Sequence, residues 1–92
     1  MENRFLSDAS RIKLTKHALE KFEMLKYYGF EIGKKHVIKT ILHPERLDER
    51  DKQFFATSVI DSGHALRVVY EDRKDYLVVI TFYPVRRERY GL

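Results

Sequence analysis

The chain has 92 residues, 43% of them hydrophobic, no cysteine, and a net charge of +4 from 18 Lys and Arg against 14 Asp and Glu. That length supports one domain around one two-layer core, and the lack of cysteine excludes disulfides, thiolate nucleophiles and thiolate zinc sites. No apolar run approaches the ~20 residues that span a bilayer, and the opening ten residues lack the apolar stretch of a secretory signal, so a cytoplasmic protein without a membrane partner is expected.

Residues 11–15 alternate in polarity, with Ile12 and Leu14 on one side, and predict a short strand. Thr15 follows as a helix cap, its hydroxyl placed to accept from a first-turn N–H. From there to about Tyr28, Ala18, Leu19, Phe22 and Leu25 share one helical face, and Gly29 is the stop. A second helix is predicted over about 33–42, where Val37, Ile38, Ile41 and Leu42 form a stripe that ends before Pro44. Residues 45–52 are highly charged and poor in apolar side chains, which predicts an exposed connection.

The remainder reads as an antiparallel sheet. Strands are expected over 53–60, 65–71 and 76–83, separated by polar turns at 61–64 and 71–75, with Pro84 closing the last one. The fold class is therefore α+β: strand, helix, helix, then a three-stranded antiparallel meander, with both helices packed on one sheet face. The whole chain, 1–92, is one domain, with 1–10 and 85–92 expected as loosely attached ends.

Period-two alternation sorts the sheet residues. The apolar sets Leu66/Val68 and Val78/Ile80/Phe82 are assigned to the helix-packed face. The other face then carries Arg67, Thr81 and Tyr83, with Arg86, Arg87 and Arg89 just beyond. Guanidinium groups grip phosphate and tyrosine stacks bases, so such a surface suits RNA. The plainer alternative is a set of solvated charges. His17, in the first turn of the first helix beside Lys21, is a candidate acid or base near neutral pH. His36, His43 and His64 are expected to be structural or incidental. No histidine pair has a zinc-ligand spacing, and there is no phosphate-cradling glycine loop, so no metal and no cofactor is expected.

Three segments carry a resemblance: Leu14-Thr15-Lys16-His17-Ala18-Leu19-Glu20-Lys21, then Leu66-Arg67-Val68-Val69-Tyr70-Glu71, then Val79-Ile80-Thr81-Phe82-Tyr83-Pro84 with the Arg-Arg-x-Arg-Tyr ending. Over roughly residues 11–90 the chain resembles a small prokaryotic family allied to the RelE/ParE toxin superfamily. The resemblance implies two helices against an antiparallel sheet and metal-independent cleavage of messenger RNA, free or ribosome-bound, by Lys, Arg, His and Tyr side chains. It implies a catalytic set of His17, Arg67, Thr81, Arg86 and Tyr90, with Lys21, Tyr83, Arg87 and Arg89 binding nucleic acid. His17 or Tyr90 would serve as acid or base, and Arg67 with Arg86 or Arg87 would neutralise phosphate. Many relatives have arginine where this chain has Lys21, which keeps the charge and loses the bidentate geometry. The implied protein partner is an antitoxin. The alternatives are a non-catalytic RNA- or protein-binding module on the same fold and a ParE-like toxin that binds a topoisomerase.

Overall fold

The computed structural model describes residues 9–92, so the expected loose amino-terminal end lies almost wholly outside them. A short 3-10 turn leads into strand β1 (Ile12–Leu14), followed by helices α1 (Lys16–Tyr27) and α2 (Lys34–Leu42). Four further strands complete the chain: β2 (Arg46–Arg50), β3 (Gln53–Val59), β4 (His64–Asp72) and β5 (Leu77–Arg86), with a closing 3-10 turn at Arg87–Tyr90. The five strands form one mixed sheet in the order β1-β5-β4-β3-β2, and only the β1–β5 pair is parallel. Among the described residues, no helix is long and apolar enough to cross a membrane.

The α+β class and the order of the first three elements follow the expectation. The sheet is larger than expected, for two reasons. First, β1 joins the far edge of β5 in parallel, with Ile12 opposite Leu77 and Leu14 opposite Val79. Second, residues 45–52 are largely exposed, as expected, but are not a connection: Arg46–Arg50 forms a strand that pairs antiparallel with residues 53–57 of β3, Arg46 opposite Thr57 and Arg50 opposite Gln53. The hairpin between them turns on Asp51 and Lys52 alone, both at positive φ (51° and 68°). Two consecutive left-handed residues are the mark of a type I′ hairpin, whose twist matches that of the strands it joins. Asparagine-glycine is the usual pair there, and Asp-Lys concealed the turn.

Thr15 does three things at the root of α1. Its hydroxyl accepts from the Ala18 N–H at 3.1 Å, the N-cap bond. Its own N–H donates to the Val79 carbonyl at 3.1 Å, and its hydroxyl donates to the Ile80 carbonyl at 3.2 Å. Ile80 is the residue left over in a β-bulge: Val69 faces Thr81, and Tyr70 already faces Val79. An extra residue on one strand reverses the alternation beyond it. The assignment of Val78, Ile80 and Phe82 to one helix-packed set is thereby corrected. Phe82 and, beyond the bulge, Val79 and Leu77 are buried, whereas Val78 and Ile80 are partly exposed.

The core lies between the helices and this face. Ala18 and Leu25 of α1, Val37 and Ile41 of α2, and Leu66, Val68, Tyr70, Leu77, Val79 and Phe82 of the sheet form its buried cluster. Phe22 packs on the fully buried Phe82 with ring centroids 4.7 Å apart. A polar bond ties α2 to β3 within this apolar layer. Thr40 donates to the His36 carbonyl at 2.8 Å, so in its 2.6 Å contact with Ser58 the serine must be the donor. At the end of α1, Gly29 takes φ +92°, the left-handed stop expected of it.

Pro84 does not close the last strand, and 85–90 is not loose. Strand β5 continues to Arg86, with Pro84 opposite Leu66, and the closing 3-10 turn is anchored by the Arg87 N–H on the Gly63 carbonyl at 3.2 Å.

Two stability changes follow. Thr15→Ala is expected to cost about 1–2 kcal/mol in urea unfolding, since it removes a cap and a bond to the bulge. Lys52→Gly is expected to add about 0.5–1 kcal/mol, because glycine holds positive φ without steric cost.

Candidate nucleic-acid interface on the open sheet face

The helices cover one side of the sheet, and the register fixes what stands on the other. One cross-strand row is Arg46, Thr57, Arg67 and Tyr83; the next is Asp48, Phe55, Val69 and Thr81. Such residues lie side by side on one face, near enough to touch. The closing 3-10 turn then folds Tyr90 back over the first row.

Arg67 is the centre of this arrangement. It was expected on an accessible basic surface; its side points as expected, but it is only 7% exposed. No helix covers it. Its Nη1 donates to Thr57 Oγ1 at 2.8 Å and to Asp48 Oδ2 at 3.4 Å. Its guanidinium carbon lies 4.5 Å from the centre of the Tyr90 ring and 5.0 Å from that of Phe55. A buried charge is tolerated only when paired and hydrogen-bonded, and hydroxyl, carboxylate and two ring faces supply that compensation here. Arg46 shares the same partners: its Nε donates to Asp48 Oδ2 at 3.0 Å, its Nη1 donates to the Tyr90 carbonyl at 3.0 Å, and its guanidinium lies 5.6 Å from the Tyr90 ring centre.

The structure gathers Arg67, Thr81, Tyr83 and Tyr90 on this face. Tyr83 is beside Arg67 and partly buried, and Thr81 is one row away. Arg86 and Arg89 are exposed nearby, Arg86 with a 3.8 Å ion pair to Glu88. Arg87 holds the chain end, its Nε donating to the Leu92 carbonyl at 2.9 Å. His17 and Lys21 stand apart. Both belong to α1, which packs on Phe82 from the helix side, whereas Arg67 projects from the opposite side of the sheet. The proposed pairing of His17 with Arg67 about one phosphate is therefore not assembled.

Arg46, Asp48, Phe55 and Thr57 were not singled out from the sequence. The available signal was Arg46-x-Asp48-x-Arg50, charged residues at the period of a strand, which reads as a solvated loop until β3 is placed beside it.

Charge is divided unevenly between the layers. Residues 9–44 hold eight Lys and Arg against three Glu, whereas residues 45–92 hold nine against nine. Among the described residues, no lysine pairs with a carboxylate, while Arg46, Arg67, Arg73 and Arg86 all do. The open face is thus an arginine surface with its charge locally matched, and the surplus lies with β1 and the helices.

Three carboxyls are held below their ordinary range. For Asp48 the main cause is the hydrogen bond from Arg46, joined by the charge of Arg46 and the hydrogen bond from Arg67. For Asp61 it is the Gly63 N–H and then His64; for Glu71 it is Gln53 and then Arg73. Each group binds its proton less readily folded than unfolded, so its contribution is complete above the ordinary carboxylate range and is lost as pH falls from that range through the group's lowered folded value. The thermal midpoint is expected to stay flat from neutral pH to about 5 and to fall below about pH 4, less steeply in Asp48→Asn.

No protein-family model, no curated protein and no solved structure matches the chain.

Proposed function

We propose that the protein is an RNA-binding domain whose open sheet face, around Arg67, receives a single strand. One observation carries this reading: a guanidinium lying over two aromatic rings, Phe55 and Tyr90, on the side of the sheet away from α1 and α2. Core stability does not call for a buried cation there. The same parts, arginine for phosphate and aromatic faces for bases, are what single-stranded RNA recognition uses. The resemblance to RelE/ParE-type toxins supports the reading, since it places Arg67, Tyr83 and the Tyr90 ending among functional positions. In the unbound state Asp48 occupies the guanidinium edges of Arg46 and Arg67, and the Tyr90 ring covers Arg67. A phosphate would displace the carboxylate, and a base would take a place against the rings.

A metal-independent endoribonuclease of toxin type is the second reading, favoured by the Tyr90 ring lying against both guanidiniums. In that chemistry a base takes the proton of a ribose 2′-OH as its oxygen attacks the adjacent phosphorus. The P–O5′ bond breaks, and an acid protonates the leaving oxygen. Arg46 and Arg67 would carry the developing phosphorane charge, and the Tyr90 or Tyr83 hydroxyl would move the protons, with no part for His17.

Fluorescence anisotropy with a labelled single-stranded RNA tests the first reading. Binding is expected to weaken as salt rises. Asp48→Asn should tighten it, whereas Tyr90→Ala and Arg67→Lys should each weaken it by about tenfold at an unchanged fold. Salt-insensitive binding, or equal affinity in all four proteins, overturns the proposal. Incubating the same RNA with chelator present separates the second reading: cleavage lost in Tyr90→Phe and Arg67→Lys supports it, and intact RNA with no growth arrest on bacterial expression rejects it.

A further inference from the structure

We propose that a cavity between α2 and the end of β3 binds the phosphate monoester of a short polyol, with His36, Lys39 and His43 holding the phosphate. The site is on the helix side of the sheet, across from Arg67, and does not rest on the RNA reading.

The cavity has a volume of about 250 Å³ and is walled by one stripe of α2 and by residues 58–60. His36, Lys39, Thr40 and His43 recur at the spacing of a single helical face, beside the stripe of Val37 and Ile41 that enters the core. Ser58 meets them from β3. Thr57 stands on the open face, so alternation turns Ser58 to the helix side, where it bonds Thr40 at 2.6 Å. With Thr40 donating to the His36 carbonyl and Ser58 donating to Thr40, both hydroxyl hydrogens are committed.

His36 decides the sign of the ligand. Its Nδ1 accepts from the Gly33 N–H at 2.9 Å, a bond that closes the first turn of α2. A nitrogen that accepts carries no hydrogen, so the neutral ring has its hydrogen on Nε2. The partly buried imidazole is therefore a donor at its free end. A metal ion needs that nitrogen bare, with the hydrogen on the other one, and the cap forbids that arrangement. An oxyanion accepts from it directly.

Lys39, one turn further on, pairs with no carboxylate among the described residues and adds a full positive charge. His43, exposed at the end of α2, adds a third nitrogen. Three donors along one stripe match the three terminal oxygens of a phosphate monoester, whereas a carboxylate has only two.

The rest of the wall offers acceptors. Glu45 gives Oε1 to the Val59 N–H at 2.8 Å and keeps Oε2, and the Ser58 oxygen keeps a lone pair. Both receive hydroxyl groups, and the carboxylate repels a second anionic group. The body of the ligand is thus neutral and hydroxylated. At ~30 Å³ for each water, the cavity corresponds to about eight waters, room for a phosphate with a few carbon atoms and not for a nucleotide.

Isothermal titration calorimetry of the full chain with glycerol 3-phosphate tests the proposal, with inorganic phosphate, sulfate and glycerol alongside. Glycerol 3-phosphate is expected to bind about tenfold more tightly than inorganic phosphate, and sulfate and glycerol more weakly still. Saturation should shift the imidazole resonances of His36 and His43 and leave those of His17 in place. Lys39→Gln and His43→Gln, both at exposed positions, should each weaken binding by about tenfold without moving the thermal midpoint. Equal affinity for the three anions overturns the proposal, as does binding that neither substitution changes or resonance shifts that spare His36. Displacement of glycerol 3-phosphate by a 5′-phosphorylated oligouridylate, and not by its dephosphorylated form, overturns it too and would make an RNA end the occupant.

Discussion

The bond from the Thr15 hydroxyl to the Ile80 carbonyl closes the one irregularity on which both faces of the sheet depend. A bulge leaves a residue outside the ladder, and its backbone groups need partners elsewhere. Thr15 supplies one while capping α1 with the same oxygen, so the start of the helix and the kink of β5 are positioned by a single side chain. Without the extra residue, β5 would present one alternating set along its whole length. With it, Leu77 and Val79 join Phe82 under the helices, while Thr81 and Tyr83 face the open side. The core and the candidate RNA surface are thus two consequences of one insertion.

On the open side, the organising group is Arg67. Its burial would be costly unpaired; Thr57, Asp48, Phe55 and Tyr90 together make it tolerable. Those partners come from β2, β3 and the closing turn, so one guanidinium ties the far edge of the sheet to the end of the chain. Arg46 strengthens the tie by donating to the Tyr90 carbonyl. The same links hold the candidate site in a neutralised, covered state, in which Asp48 occupies the edges of both guanidiniums and the Tyr90 ring lies over Arg67. The positive surplus itself sits in the helices and β1. The charge surplus and the candidate site are therefore on different parts of the fold, the first with β1 and the helices and the second on the opposite sheet face.

The elements most legible in the sequence were those with a one-sided apolar pattern. Thr15, Ala18, Leu25 and Gly29 announced α1 and its ends, and Val37 with Ile41 announced α2. Strand β2 was hidden because four of its five residues are charged and its single apolar residue, Leu47, is exposed. Nothing in it asks to be buried, and its strand state comes from pairing with β3. The hairpin was hidden for a related reason, as Asp51 and Lys52 take positive φ without the glycine or asparagine that advertises it. Half of the candidate site followed from alternation: Arg67, Thr81 and Tyr83 do share a face. Arg46, Asp48 and Thr57 could be found only once β2 and β3 were in register.

Local chemistry along the chain determined the α+β class, the two helices with their cap and stop, the three central strands and the charge surplus of the first half. Those features depend on neighbours within one or two turns of chain, which periodicity and side-chain type report directly. The tertiary structure alone decided the bulge, the parallel docking of β1, the covering of Arg67 by Tyr90, and the separation of His17 from Arg67 by the thickness of the sheet. Each of these is a pairing between residues distant in sequence, and an alternating pattern is the same on either side of a strand until a partner chooses one.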